Sequence, residues 1–278
     1  MIIARTRQDL AAARASLGRV GFAPTMGALH DGHLALINAA RLAGLTPAAS
    51  IFVNPTQFGP NEDFSRYPRD EARDLAKLEA AGCALVWLPS VETMYPADAA
   101  SSVQVAGPSR RWEGDARPGH FNGVATIVAK LFGLVRPQAA FFGEKDWQQL
   151  QVVRRMTADL CLPVRIVPVP TVREADGLAL SSRNRYLSAA ERAAAPQLYA
   201  ALRIAARRIE AGDDVEATLA AASQTLTVGG LVPDYLALVH AERLEPVTSL
   251  QSPARLIATA RLGPVRLLDN LPVNETTP

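Results

Sequence analysis

The chain is poor in the features that mark several specialised classes of protein. It has only two cysteines, Cys83 and Cys161, among 278 residues, and apolar neighbours predict that both are buried, reduced thiols. No apolar run reaches the roughly 18 residues of a membrane span. Charged residues within the first five positions argue against a secretory signal, so the expected location is cytoplasmic, without membrane contact.

The chain also lacks a large excess of positive or negative charge. A net charge of +2, with no concentrated basic face, argues against a nucleic-acid-binding protein. The richest basic stretch, 203–208, mixes arginine with Ala and Ile, as expected for one solvated helix face. There is no internal repeat and no GxxxxGK[ST] motif, so the chain is not a P-loop enzyme. Apolar residues, in contrast, make up 49% of the sequence, enough for one large domain and a smaller one.

Strand-like and helix-like segments alternate through the first two-thirds of the chain. This alternation predicts an α/β fold, a Rossmann-like doubly wound parallel sheet that binds ligands at the carboxyl ends of its strands. The predicted strands are 20–23, 48–53, 84–88, 139–142 and 164–169. The predicted helices are 34–43, 71–81, 123–135 and 146–160.

The pattern changes near Pro170, and we predict a domain of residues 1–171 followed by a smaller α+β domain of residues 172–278. Ser188 and Glu191 have the spacing of a capping box at the start of a helix. The tail is expected to fray. The elements predicted for this part are one long helix over 188–211, a helix over 215–226, antiparallel strands over 235–239, 255–260 and 265–268, and a frayed tail over 274–278.

The most informative segment is 24–33, which reads Pro-Thr-Met-Gly-Ala-Leu-His-Asp-Gly-His and lies between a predicted strand and a predicted helix. A helix that starts near Gly32 points unpaired backbone N–H groups and its positive dipole end into this loop. Together with His30 and His33, these groups predict a site for a phosphate-bearing ligand, as in HxGH nucleotidyl-transferring enzymes. The alternatives are a helix cap or a zinc pair, but a zinc pair lacks a clear third ligand.

Polar residues also follow two further predicted strands, and another polar segment lies in a loop later in the chain. Lys145, in the segment Gly143-Glu144-Lys145-Asp146, is a candidate point charge for a phosphate, although in isolation it is more typical of a surface salt bridge. The loop Leu180-Ser181-Ser182-Arg183 suits a mobile phosphate clamp, although in isolation it reads as an ordinary polar loop. Asn54-Pro55-Thr56-Gln57 follows the second predicted strand.

Five segments in order carry a resemblance to one family. They are 24–33, 50–58 (Ser-Ile-Phe-Val-Asn-Pro-Thr-Gln-Phe), 117–126 (Arg-Pro-Gly-His-Phe-Asn-Gly-Val-Ala-Thr), 142–150 (Phe-Gly-Glu-Lys-Asp-Trp-Gln-Gln-Leu) and 176–184 (Asp-Gly-Leu-Ala-Leu-Ser-Ser-Arg-Asn). The chain resembles the pantoate–β-alanine ligases of the HxGH nucleotidyltransferase superfamily. The resemblance implies a ligase that forms pantoyl adenylate and pyrophosphate from ATP and pantoate, after which β-alanine displaces AMP to give pantothenate.

The resemblance also implies roles for particular residues. It marks His33 as the residue usually assigned as proton donor, with His30 and Lys145 as the other catalytic candidates. Gln57 and Gln149 are implied to bind pantoate, Gln57 also to bind β-alanine, and Asp74 to bind the Mg²⁺ that accompanies ATP. The implied ATP-binding residues are Met26, Gly27, Ala28, Leu29, His30, Asp31, Gly32, His33, Gly143, Glu144, Lys145, Asp146, Val172, Leu180, Ser181, Ser182 and Arg183.

Several of these assignments have alternatives. Asp74 is equally consistent with a solvated helix face, and Arg73 stands where the family often has a second acid. Gln148, the neighbour of Gln149, is equally consistent with a solvent-facing helix residue, and nothing in the sequence alone prefers Gln149 for the pantoate pocket. His120 is expected to shape the cleft, with no role that its chemistry assigns. As domains, 1–171 would bind ATP and pantoate and catalyse, and 172–278 would form a lid.

Two other classes of function remain open from the sequence. One is an adenylyltransferase of the same superfamily, although it would require basic clusters for a phosphorylated acceptor where this chain has Gln57 and Gln149. The other is a nucleotide-binding module without catalysis, which retention of both histidines and Lys145 argues against. The resemblance further implies a homodimer.

Overall fold

The structure is a computed structural model that describes residues 1–60, 62, 64–250 and 253–273. The predicted frayed tail, 274–278, lies outside the described residues. The chain forms two compact units, Met1–Glu144 with Gln148–Pro170, and Lys145–Trp147 with Thr171–Pro278. The short segment Lys145–Trp147 belongs to the second unit because its polar groups bond there. Asn270 Nδ2 donates to Lys145 O at 2.8 Å, and Trp147 Nε1 donates to Ala241 O at 2.6 Å.

The first unit contains a parallel sheet, as the sequence predicts. Its six described strands are ordered β1-β4-β3-β2-β5-β6, and every pair is parallel. The strands are β1 (Ile2–Ala4), β2 (Val20–Thr25), β3 (Thr46–Ile51), β4 (Leu85–Trp87), β5 (Ala139–Gly143) and β6 (Arg165–Val169). The helices up to Pro170 are α1 (Arg7–Ser16), α2 (Asp31–Leu42), α3 (Glu71–Ala80), α4 (Val91–Met94), α5 (Glu113–Ala116), α6 (His120–Val135) and α7 (Trp147–Asp159), whose first residue belongs to the second unit.

Helices cover both faces of this sheet. Successive side chains of a strand point to opposite faces, so Phe141 and Phe142 of β5 lie on opposite faces of the sheet. Phe141 packs with Ile37 and Ala40 of α2 in one buried cluster. The ring of Phe142 lies 6.4 Å from that of Phe132 on α6. Burial on both faces explains why the strands are continuous apolar runs rather than alternating patterns.

The strand order places the polar loops at one edge. From β2 the chain moves through β3 and β4 to one side, and β5 and β6 lie on the other side, so the order reverses between β2 and β5. Ligands of open α/β sheets bind at the carboxyl ends of the strands, beside such a reversal. The loops that follow β2, β3 and β5 begin at this edge.

The second unit contains a three-stranded antiparallel sheet, in the order β7-β8-β9, that packs against helices around a common apolar core. The three strands and the capping box at Ser188 confirm the predictions. The elements are α8 (Ala189–Ala194), α9 (Gln197–Glu210), α10 (Val215–Val228), β7 (Val232–His240), β8 (Ala254–Leu262) and β9 (Val265–Val273).

Two expectations were wrong. The predicted long helix over 188–211 is two helices, because Pro196 has no N–H to donate and its ring clashes with the preceding turn. Cys161 is exposed in the turn after α7, at φ +51°, whereas Cys83 is buried as expected. Burial raises the pKa of the Cys83 thiol to about 11, which keeps it protonated. Within the described ranges, no helix is long and apolar enough to cross a membrane.

Candidate active site

The loop between β2 and α2 has an unusual backbone. Gly27 and Ala28 have φ angles of +82° and +50°, in the left-handed region. This conformation costs roughly 1–2 kcal/mol at a residue with a Cβ, so Ala28 must be held in place by contacts. Thr25 anchors the start of the loop, since its hydroxyl donates to Ser50 O at 2.6 Å and accepts from Gly27 N at 3.3 Å.

The two histidines stand at the start of α2. His30 is the N-cap residue, in an extended conformation, and His33 lies in the first turn. Their ring centroids are 4.1 Å apart. The backbone N–H of His30 donates to His33 Nδ1 at 3.3 Å, so the neutral ring carries its proton on Nε2. This tautomer gives His33 an N–H donor at the N-terminus of α2, and helix N-termini commonly bind phosphates through their backbone N–H groups.

Asp74 does not lie on a solvated helix face, so that alternative is wrong. It is 2% exposed, and its two carboxylate oxygens accept the backbone N–H groups of Ala28 (2.7 Å) and Leu29 (2.8 Å). Within the described part of the chain, no group of three or more His, Cys, Asp or Glu side chains has the geometry to hold a metal ion. Both carboxylate oxygens of Asp74 already accept backbone N–H groups of the loop, and this bonding does not fit the role of a magnesium ligand.

The turn after β3 presents the side chain of Gln57. Asn54 orients it, since Asn54 Nδ2 donates to Gln57 Oε1 at 2.9 Å while Asn54 Oδ1 accepts from the Tyr95 hydroxyl at 2.8 Å. Because Gln57 Oε1 accepts from Asn54, the Gln57 amide can bind a ligand through its Nε2 N–H groups. Gln57 Nε2 has no hydrogen-bond partner among the described residues. Gly123 of α6 touches this turn so closely that an added Cβ would lie 2.2 Å from Thr56 O.

A charged network holds the other side of the same turn. The ring of His120 bonds to Gln57 O through Nδ1 at 2.9 Å, and Arg117 Nη1 lies 3.1 Å from its Nε2. Burial, assisted by the charge of Arg117, lowers the pKa of His120 to about 4. The ring is therefore neutral at pH 7, with Nδ1 donating and Nε2 accepting. Glu62 pairs with Arg117 through both oxygens. Burial would raise the pKa of Glu62, but this pair outweighs burial and lowers it.

The structure distinguishes the two neighbouring glutamines of α7. Gln148 is 6% exposed and, among the described residues, bonds only to backbone, accepting from Glu113 N and donating to the carbonyls of Pro108, Arg110 and Arg111. The idea that Gln148 faces solvent is therefore wrong. Gln149 is half-buried, and its side chain has no hydrogen-bond partner among the described residues.

The second unit carries the remaining candidates. Lys145 Nζ lies 3.6 Å from Asp146 Oδ1, and the Lys145 side chain is 20% exposed. Leu180 N donates to Val172 O at 3.0 Å, so these two residues lie together. The Ser181 hydroxyl caps the following short helix by accepting from Arg183 N at 3.3 Å. A bidentate ion pair between Arg173 and Asp269, with contacts of 2.6 and 2.8 Å, holds this segment on β9.

A central parallel strand that leads through a left-handed loop into a histidine-bearing helix N-terminus is the arrangement that the sequence predicts for segment 24–33. Comparison with known proteins is more specific. The family model described as pantoate–β-alanine ligase matches residues 2–272. The chain therefore belongs to the pantoate–β-alanine ligase family, as the five motifs predict.

Relatives match over nearly the whole length. Pantothenate synthetase of Acidiphilium cryptum (strain JF-5) is 59% identical over 278 residues, which cover 98% of this chain and 100% of the relative. The crystal structure of pantothenate synthetase from Thermus thermophilus has a TM-score of 0.92 at 53% identity and covers 98% and 99% of the two chains. A pantoate–β-alanine ligase from Francisella tularensis, complexed with β,γ-ATP and β-alanine, has a TM-score of 0.82 at 32% identity and covers 98% and 97%.

These matches confirm the predicted enzyme class, a ligase, and give no support to a different adenylyltransferase or a module without catalysis. Sequence reasoning missed two structural roles on α3, that of Asp74 and that of Lys77, whose Nζ donates to Leu29 O. It also missed the roles of Arg117 and His120. One signal was available for the first two: Asp74 and Lys77 are three residues apart and therefore share a helix face.

Proposed function

We propose that this chain condenses pantoate with β-alanine to form pantothenate and cleaves ATP to AMP and pyrophosphate through a pantoyl-adenylate intermediate. The observation that carries the proposal is the arrangement of His30 and His33 at the N-terminus of α2, directly after the central strand. In the first step the pantoate carboxylate attacks the α-phosphorus, the new P–O bond forms, and the bond to pyrophosphate breaks.

His33 acts on the charge that this step creates. Negative charge builds up on the α-phosphate and the leaving pyrophosphate, and a fixed N–H donor that meets this charge accelerates the reaction. The Nε2 proton of His33 and the N–H groups at the start of α2 are such donors. The ATP-binding loop comprises residues 26–33.

Gln57 and Gln149 bind pantoate through neutral amides. Gln57 presents N–H groups because Asn54 occupies its oxygen. A lysine or arginine would neutralise the charge of the pantoate carboxylate and so reduce its nucleophilicity. A neutral amide donor holds the pantoate oxygens without this effect. In the second step the β-alanine amine attacks the acyl carbon, loses a proton and displaces AMP, with Gln57 also contacting β-alanine.

The triphosphate is bound by further groups. Lys145 contributes a positive charge, residues 143–146 contribute backbone N–H groups, and the segment 180–183 closes on the phosphates, while Val172 contacts the adenine. Mg²⁺ would neutralise phosphate charge, and it is typically held by phosphates and water with few protein ligands. Asp74 is not among them on the geometry above. Cytoplasmic location, a homodimer and the roles of 1–171 as catalytic domain and 172–278 as lid stay predictions.

One assay tests the activity. With ATP, Mg²⁺, pantoate and β-alanine, we expect AMP and pantothenate to form in a one-to-one ratio. Without β-alanine we expect pyrophosphate formation to stop after about one turnover, because the AMP group stays in pantoyl adenylate. Pyrophosphate and AMP would be followed by coupled assay and the amide by mass spectrometry. AMP transfer to an acceptor without amide formation would contradict the proposal.

Gln57→Ala is expected mainly to raise the KM for pantoate, about 10–100-fold, because a hydrogen bond to a charged group contributes roughly 1.5–3 kcal/mol. The kcat should change much less, since the amide binds the ground state and the transition state alike. Steady-state kinetics with pantoate as the varied substrate measure both. Gln8→Ala, an exposed glutamine of α1, is the matched control. An unchanged pantoate KM would remove Gln57 from the pocket.

A further inference from the structure

Two side chains of α3 hold the loop that leads to His30. Asp74 Oδ2 accepts from Ala28 N at 2.7 Å, and Asp74 Oδ1 accepts from Leu29 N at 2.8 Å. Lys77 Nζ donates to Leu29 O. Three backbone groups in succession are thus fixed immediately before the first histidine.

The loop needs such a contact because its backbone is strained. Gly27 and Ala28 have positive φ angles, and this conformation turns the N–H groups of Ala28 and Leu29 towards one carboxylate. A Cβ at Gly27 would lie 2.9 Å from Asp74 Oδ2, so glycine at this position permits the close approach. Without these hydrogen bonds, the partly buried N–H of Ala28 and the buried N–H of Leu29 would lose their partner, which is costly.

The position of Asp74 favours a contact with the loop over one with a metal ion. Its side chain is 2% exposed, and each oxygen already accepts a backbone N–H. A carboxylate that receives two N–H groups in a buried site is compensated by them and requires no cation. Lys77, the nearest helical neighbour on the same face, places its charge on the carbonyl of the same loop.

We propose that Asp74 and Lys77 are positioning residues for the reaction, which hold residues 27–29 in the conformation that places the rings of His30 and His33, and that Asp74 does not ligate Mg²⁺. The effect on catalysis rests on the proposed function of the two histidines. The effect on the loop does not, because it concerns the chain without substrates.

Asp74→Asn tests this proposal, since the amide keeps the shape of the side chain and loses one acceptor. Asp70→Asn is the matched control, because Asp70 caps the same helix by accepting from Arg73 N and its side chain forms no hydrogen bond with the loop among the described residues. In protein free of metal and nucleotide, we expect amide hydrogen exchange at Ala28 and Leu29 to accelerate at least about tenfold in Asp74→Asn. The imidazole NMR signals of His30 and His33, two of only four histidines, should shift in this variant and not in the control.

Kinetics give an independent measurement. We expect kcat of Asp74→Asn to fall about 10–100-fold at saturating Mg²⁺, with the half-saturating Mg²⁺ concentration unchanged. Two results would show that Asp74 is a metal ligand and overturn the proposal. One is a half-saturating Mg²⁺ concentration that rises several-fold in Asp74→Asn. The other is recovery of kcat in excess Mg²⁺ while hydrogen exchange is unchanged. Lys77→Met keeps the apolar stem and provides a milder variant if Asp74→Asn does not fold, with exchange at Leu29 again expected to accelerate. Unchanged exchange and unchanged histidine signals in both variants would also overturn it.

Failure of the proposed function and failure of the positioning role of Asp74 and Lys77 can be told apart. If the unaltered chain made no pantothenate, the proposed function would fail, while the exchange and imidazole data would still report whether α3 positions the loop.

Discussion

His33→Ala is expected to lower kcat about 1,000-fold while the Kd for ATP changes by less than about threefold. The imidazole Nε2 proton meets charge that appears only as the α-phosphate is attacked, so its loss affects the transition state far more than the bound nucleotide. Single-turnover formation of pyrophosphate measures the rate, and calorimetry with a non-hydrolysable ATP analogue measures the affinity. Asn38→Ala, an exposed position on the same helix, is the control.

His33→Gln separates two roles of this ring. The amide nitrogen of glutamine donates a hydrogen bond from about the position of Nε2 but does not exchange a proton at neutral pH. Because the attacking pantoate carboxylate is already ionised, the first step requires charge stabilisation and no proton donor. We therefore expect His33→Gln to retain about tenfold more activity than His33→Ala. Equal losses in the two variants would instead assign a proton transfer to His33.

Lys145→Ala is expected to reduce kcat/KM for ATP by about 100–1,000-fold, because a cation at the phosphates stabilises charge that increases during attack. The contact with Asp146, at 3.6 Å between partly exposed groups, contributes little by itself. If Lys145 formed only this surface pair, the variant would behave as the unaltered chain. Lys145→Arg should recover part of the activity, since it restores the charge with a different shape.

The control for Lys145 is Arg155→Ala. Arg155 is 59% exposed and pairs with Asp159 one turn further along α7, so its removal deletes a surface cation and a surface ion pair. We expect no more than about a twofold change in kcat/KM for ATP in this variant. A loss as large as that of Lys145→Ala would mean that net charge, rather than Lys145 itself, determines the rate.

The main elements of the fold were predictable because their signals are local. The strands β2, β3 and β5 are apolar runs of the length that a sheet buried on both faces requires, and each ends at a polar motif. The capping box at Ser188 is likewise written in four consecutive residues. In contrast, β1 is three residues long and is defined by its pairing with β4, more than 80 residues away, so no local pattern identified it.

Roles within a motif were harder to predict than the motif itself. Gln148 and Gln149 are chemically identical neighbours, yet the first is saturated by the backbone of 108–113 and the second is not. The helical direction of each side chain decides which of them meets the adjacent loop, and this direction depends on packing. His120 showed no role in the sequence because its partners are Gln57, 63 residues away, and Arg117.

The sequence by itself determined the parallel α/β architecture, the position of the two histidines at the start of a helix, and the family. These features follow from periodicity, capping residues and motif order, which are properties of neighbouring residues. Only the tertiary structure decided the role of Asp74, whose carboxylate meets N–H groups 45 and 46 residues earlier in the chain. An acidic residue in the first turns of a helix has the same sequence signature on a solvated face, in a metal site or against a buried loop. The fold distinguishes these three situations, because it determines which backbone groups come within hydrogen-bonding distance of the carboxylate.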